Sequence, residues 1–145
     1  MERLGFRIWG KPFGKLAVAT TQDGKRYLPG DVRRYYVSIR RAIAETGWTG
    51  PQFRAAEVWI NAYSMRPKMK PHRYPMEWKR GAKVLCTRTP DADNVCKVIL
   101  DGCTRAEVWK DDRVVVSLNC VTWYTPKPDD DPFVDVIITE LGDAT

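Results

Sequence analysis

The chain has 145 residues, 43% hydrophobic and 29% charged, with 24 Lys and Arg against 18 Asp and Glu for a formal charge of +6. That size suits one domain with its own core, and the composition excludes a wholly disordered chain. The longest apolar runs, such as Val98-Ile99-Leu100 and Val114-Val115-Val116, fall far short of the roughly 18 residues of a membrane span. The charged start Met1-Glu2-Arg3 lacks export-signal character, so a cytoplasmic protein is predicted.

Leu4–Trp9 reads as a first strand, followed by a loop with Gly10, Pro12 and Gly14. Leu16–Thr20 is a second short strand. The turn dipeptide Asp23-Gly24 predicts a hairpin from it into Arg26–Leu28, which Pro29-Gly30 ends. Asp31 is placed to cap a helix running to about Glu45. Val32, Tyr35, Tyr36, Ile39 and Ile43 make one helical stripe. Arg33, Arg34, Arg40 and Arg41 flank that stripe, and Gly47 suits the C-terminal cap.

Ala55–Tyr63 alternates as a strand. Met65–Arg80 then carries Pro67, Pro71 and Pro75, which exclude a regular element until about Pro75. Its Lys68, Lys70, Arg73, Lys79 and Arg80 interleave with Tyr74 and Trp78, a composition suited to phosphates and exposed bases. A second helix starts at Asp93 or Asn94 and reaches about Cys103. Arg113–Tyr124 is a long strand, the Pro126–Pro132 segment with Asp129-Asp130-Asp131 is a solvated turn, and Phe133–Leu141 is a final strand pairing antiparallel with the one before it. The fold class is α+β, a small single domain over 1–145 with a mixed sheet and two main helices.

Cys86, Cys96, Cys103 and Cys120 form no Cys-x2-Cys or Cys-x4-Cys pair, which argues against a zinc ribbon and for packed, reduced thiols. His72 is the only histidine and reads as an exposed loop residue. The charge is unevenly placed. Residues 1–90 hold 19 Lys and Arg and 6 Asp and Glu, a balance of +13, whereas 91–145 hold 5 and 12, a balance of −7. The basic part suits a polyanion and the acidic part suits cations.

The acidic part opens with Thr89-Pro90-Asp91-Ala92-Asp93-Asn94-Val95-Cys96-Lys97. If Asp91 and Asp93 are both extended, their carboxylates project to one side. Such a pair favours a hard cation, Mg²⁺ or Mn²⁺, between them. Lys97, four residues after Asp93, shares its helix face and is positioned to stabilise a phosphate oxygen or orient an attacking water. Trp109-Lys110-Asp111-Asp112 adds two carboxylates at the head of a strand, one of which aims at the site because neighbouring strand residues face opposite ways.

Asp91-x-Asp93-Asn94-x-x-Lys97-x-x-Leu100-Asp101, followed by Trp109-x-Asp111-Asp112-x-x-Val115, resembles the RusA-like family of Holliday junction resolvases, small endodeoxyribonucleases often carried by phages and prophages. Val95 stands where that family has Leu, and Gly102-Cys103 where it has Ala-Leu, a change expected to loosen the end of the helix. The resemblance implies metal binding by Asp91, Asp93 and Asp112 with Asp111 beside them, and a catalytic Lys97. It also implies a Mg²⁺-dependent homodimer that resolves four-way DNA junctions by paired phosphodiester cuts, with no small-molecule cofactor. Two other readings of the same residues are a non-catalytic nucleic-acid-binding protein and a nuclease acting on flaps, forks or RNA.

Overall fold

Alternation of buried and less buried side chains marks two of the strands, strictly over residues 3–9 and mostly over 56–64. The computed structural model describes residues 2–14, 19–20, 26–27, 30–81 and 83–142. Its elements run β1 (Arg3–Trp9), β2 (Ala19–Thr20), β3 (Arg26–Tyr27), α1 (Gly30–Glu45), β4 (Ala56–Ser64), the short α2 (Met76–Lys79), α3 (Ala92–Arg105), β5 (Val115–Tyr124) and β6 (Phe133–Glu140). One mixed sheet has the order β1-β6-β4-β5, and β2 and β3 form a separate antiparallel ribbon. The predicted Asp23-Gly24 turn, and most of the residues expected on either side of it, lie outside the described residues.

The expected pairing of the last two strands does not occur. β6 pairs antiparallel with β1 on one side and β4 on the other, and β5 instead pairs parallel with β4. The composition of β6 explains its central place. Val134, Val136 and Ile138 are fully buried on one face, and Phe133 is buried at its start, so a hairpin that left β6 at an edge would expose much of this apolar surface to water.

Leu4, Phe6 and Ile8 of β1, Val58 and Ile60 of β4, and the three buried β6 residues form one face of the sheet. Val32, Tyr36, Ile39 and Ile43 of α1 and Val95, Val98, Ile99 and Cys103 of α3 belong to the same core, so the stripe predicted for α1 is its buried face. Asp31 does not precede that helix. α1 begins at Gly30, and the Asp31 carboxylate accepts from the Val32 N–H within the first turn. Gly47 ends the helix as expected, with φ +77° and its N–H donating to the Ala44 carbonyl at 3.1 Å. The four cysteines are unpaired, and three of them are buried. No helix among the described residues is long and apolar enough to cross a membrane.

α3 runs further than expected at both ends. It begins at Ala92 and is capped by Asp91. It stops at Arg105 because Glu107 turns left-handed (φ 61°), while the Val108 N–H returns to the Cys103 carbonyl and the Glu107 N–H to that of Thr104. Gly102 does not loosen this end. It is buried against α1, where a Cβ would lie 2.3 Å from Ile39 Cδ1 and 3.3 Å from Tyr36 Cδ1, so the missing side chain lets the two helices approach. Tyr36 Oη donates to Asp101 Oδ2 at 2.5 Å beside this contact, and Arg105 Nε lies 3.3 Å from the same oxygen. Burial first, and the Asp101 contact second, hold the Tyr36 phenol well above its usual range.

Gly102→Ala is expected to lower stability by about 1–2 kcal/mol, because overpacking against fully buried Ile39 exceeds the gain in helix propensity. Urea denaturation followed by circular dichroism measures this, and an unchanged or raised midpoint would show that the helices can separate freely.

Candidate active site

The site begins at the N-terminus of α3. Asp91 is extended (φ −78°, ψ 166°), and its Oδ1 accepts from the Asn94 N–H at 2.9 Å. Asp93 is already in the helix. The expectation that Asp91 and Asp93 converge through a strand's two-residue period therefore does not hold, because the peptide enters the helix between them. Asp91 retains one carboxylate oxygen outside the cap. The thiol of Cys120 on β5 donates to the Ala92 carbonyl at 3.4 Å, which ties this end of α3 to the sheet. Burial pushes that thiol up to about 12, with Cys96 nearby as a further cause.

Asp93 and Lys97 pair at 3.1 Å along the helix, with side chains 74% and 55% exposed. An ion pair so exposed contributes little to folding and exchanges easily, which leaves both groups available to a ligand. Positions 93, 97, 100 and 104 form one stripe along α3, grading from exposed Asp93 and Lys97 to half-buried Leu100 and Thr104.

Thr104 at the end of this stripe holds the second acidic segment. The indole N–H of buried Trp109 donates to Thr104 Oγ1 at 2.7 Å, and the Phe53 N–H donates to the Val108 carbonyl at 3.0 Å. The chain leaves this anchor through Lys110 into Asp111 and Asp112, and the 3-10 turn Asp112–Val114 packs against α3. Strand alternation does not govern these two carboxylates, because β5 starts only at Val115. Asp111 caps the turn, accepting from the Arg113 N–H at 2.8 Å with the Arg113 guanidinium 3.3 Å away. That N–H first, and the guanidinium after it, hold the Asp111 carboxyl below the usual carboxylate range. Asp112 is exposed.

Oxygen donors of this kind suit a hard divalent cation. Their arrangement within one chain does not form a cage for one: among the described residues, no three His, Cys, Asp or Glu side chains gather closely enough to hold an ion.

The predicted DNA-contacting cations Arg33, Arg34, Arg40 and Arg41 on α1, and Lys68, Lys70, Arg73, Lys79 and Arg80 around α2, are all exposed. Arg66 has a structural role. Its Nε donates to the Thr125 carbonyl at 2.8 Å, its Nη2 donates to the Pro126 carbonyl, and its guanidinium lies 4.3 Å from the Trp78 ring centre. Trp78 is buried edge-on against Tyr124, so it is not available to stack on a base. Reading the sequence missed Lys11 and Phe13, which line a pocket beside Asn94 and Pro90; the paired Pro12 and Gly14 were the available signal.

No curated protein matches the chain. A family model described as endodeoxyribonuclease RusA matches residues 10–139.

Capping and any role in chemistry are separable at Asp91. Asp91→Ala is expected to cost about 1 kcal/mol of stability through the lost cap, whereas Asp91→Asn, an equally good cap, is expected to stay within a few tenths. Thermal or urea unfolding of the two variants measures the difference.

Proposed function

The chain belongs to the RusA endodeoxyribonuclease family, and from that premise we propose that it is a junction-resolving nuclease, a single catalytic domain that cuts four-way DNA by paired phosphodiester hydrolysis in the cytoplasm. The observation that carries this reading is the arrangement along α3. The helix presents Asp93 and Lys97 at the start of its stripe with Asp91 as its cap, and Trp109, bonded to Thr104 at the far end, anchors the segment that leads into Asp111 and Asp112.

An acidic patch approaches DNA only if positive charge lies between the two. Lys97 supplies one such charge. Released from its exposed pair with Asp93, its ammonium meets a phosphate oxygen and offsets the charge that grows there during hydrolysis. The remaining carboxylate oxygens of Asp91, Asp93, Asp111 and Asp112 are the donors this reading assigns to a divalent cation, Mg²⁺ with Mn²⁺ as a substitute. Such an ion would act as a Lewis acid at the phosphate. The exposed cations of α1 and of residues 68–80 hold the DNA arms through phosphate contacts and carry no sequence information by themselves. A homodimer follows from the substrate, since two symmetric cuts across a two-fold junction need two equivalent sites.

The test is a panel of four-way junction, flap, fork, linear duplex and RNA substrates, each with and without Mg²⁺. The expected result is paired cutting of the four-way junction only when Mg²⁺ is present. Lys97→Met is expected to slow that cutting about a hundredfold or more while junction binding persists. Preferential cutting of flaps or forks would move the protein to another branched substrate. Junction binding indifferent to Mg²⁺, with no nicking at any concentration, would make it a binding protein.

A further inference from the structure

A pocket of about 480 Å³ opens beside Asp91, between residues 11–14 and the segment that leads into α3. Its walls are Lys11, Pro12, Phe13 and Gly14 on one side and Thr89, Pro90 and Asn94 on the other. The two walls meet at Gly14, where a Cβ would fall 2.2 Å from Pro90 Cβ and 3.3 Å from Asn94 Cβ. A proline ring cannot yield as a flexible side chain does, so glycine is what allows this junction. Phe13 is half-buried and braced from behind by Tyr35, with ring centres 5.6 Å apart and planes 28° apart.

Asn94 lines the pocket, and its carboxamide has no hydrogen-bond partner among the described residues; its backbone N–H is engaged by Asp91. Lys11 is exposed and unpaired among the described residues. A braced aromatic ring with flanking prolines, one carboxamide offering both a donor and an acceptor, and a cation at the edge match the three parts of a nucleotide. The ring and prolines suit the face of a base, the carboxamide suits its hydrogen-bonding edge, and the ammonium suits its phosphate.

Resting on the nuclease reading above, we propose that this pocket receives one unpaired base of the DNA next to the cut, and that Asn94 reads its edge. Its position beside the cap of α3 places that nucleotide adjacent to the phosphate to be hydrolysed. Phe13 and Asn94 are then specificity-determining residues, and Lys11 adds affinity without selectivity.

The experiment is fluorescence anisotropy on a synthetic four-way junction in metal-free buffer, with single abasic sites stepped through the nucleotides around the crossover. For the wild type, base removal at one or two positions is expected to weaken binding about tenfold. Asn94→Ala and Phe13→Leu are expected to bind the intact junction about as the wild type binds those abasic ones, and to lose the position dependence. Lys11→Ala is expected to weaken every junction equally. Alanine is the better helix former, and the Asn94 backbone N–H keeps its cap, so Asn94→Ala tests the pocket with the fold intact; thermal melting confirms it.

A wild type insensitive to every abasic site overturns the proposal, as does Asn94→Ala keeping the wild-type pattern. The same junctions assayed for cleavage with Mg²⁺ separate the two readings. Cutting without base dependence contradicts the pocket alone, base-dependent binding without cutting contradicts the nuclease alone, and absence of binding contradicts both.

Discussion

The contact between Gly102 of α3 and Ile39 of α1 sets how α3 lies on the sheet. A helix presents a new face every 100° or so, so fixing one buried face fixes what looks outward. With Val95, Val98, Ile99, Gly102 and Cys103 in the core, Asp93 and Lys97 must face water. The same setting places Thr104 where the buried indole of Trp109 reaches it. Two acidic segments about twenty residues apart thus join one helix through packing and one hydrogen bond. The Asp93–Lys97 and Asp111–Arg113 ion pairs are exposed and weak, so the apolar contacts position the charges.

The charge pattern gains meaning from that arrangement. The basic residues of α1 and of 68–80 are exposed, whereas the acidic residues divide among several tasks. Asp101 ties α3 to α1, Asp135 forms a bidentate pair with Arg7 (2.6 and 2.9 Å), and Asp130 accepts from the Lys127 N–H in the solvated turn. At the candidate site Asp93 and Asp112 are exposed, Asp93 in a solvated pair with Lys97, and Asp91 keeps one oxygen outside its cap. The deficit of −7 after residue 90 is therefore partly structural, and the portion available for chemistry is smaller than the count suggests.

Much of the fold was legible because it is local. The α1 stripe, the alternation in β1 and β4, the break at Pro75 and the Gly47 cap follow from neighbouring residues in the chain. Strand pairing was not legible, because inserting β6 between β1 and β4 is decided by burial of its Val134, Val136 and Ile138 across 70 and more residues of sequence. Asp91 shows another limit. A carboxylate before a helix serves equally as cap and as ligand, and only the Asn94 N–H contact reveals that it caps. Trp78 shows a third, since aromatics among lysines look alike whether they await a base or, as here, pack against Tyr124.

In the proposed reading, the α3 carboxylate and the one that precedes β5 act on the same phosphate. Single-turnover cleavage of a four-way junction by Asp93→Asn, Asp112→Asn and the double variant tests it directly. Residues that work as a unit are strongly non-additive. A shared site predicts that each single variant falls about a hundredfold or more and that the double is slower than the worse single by no more than about threefold. Losses that multiply in the double variant would show two independent contributions and contradict a shared site.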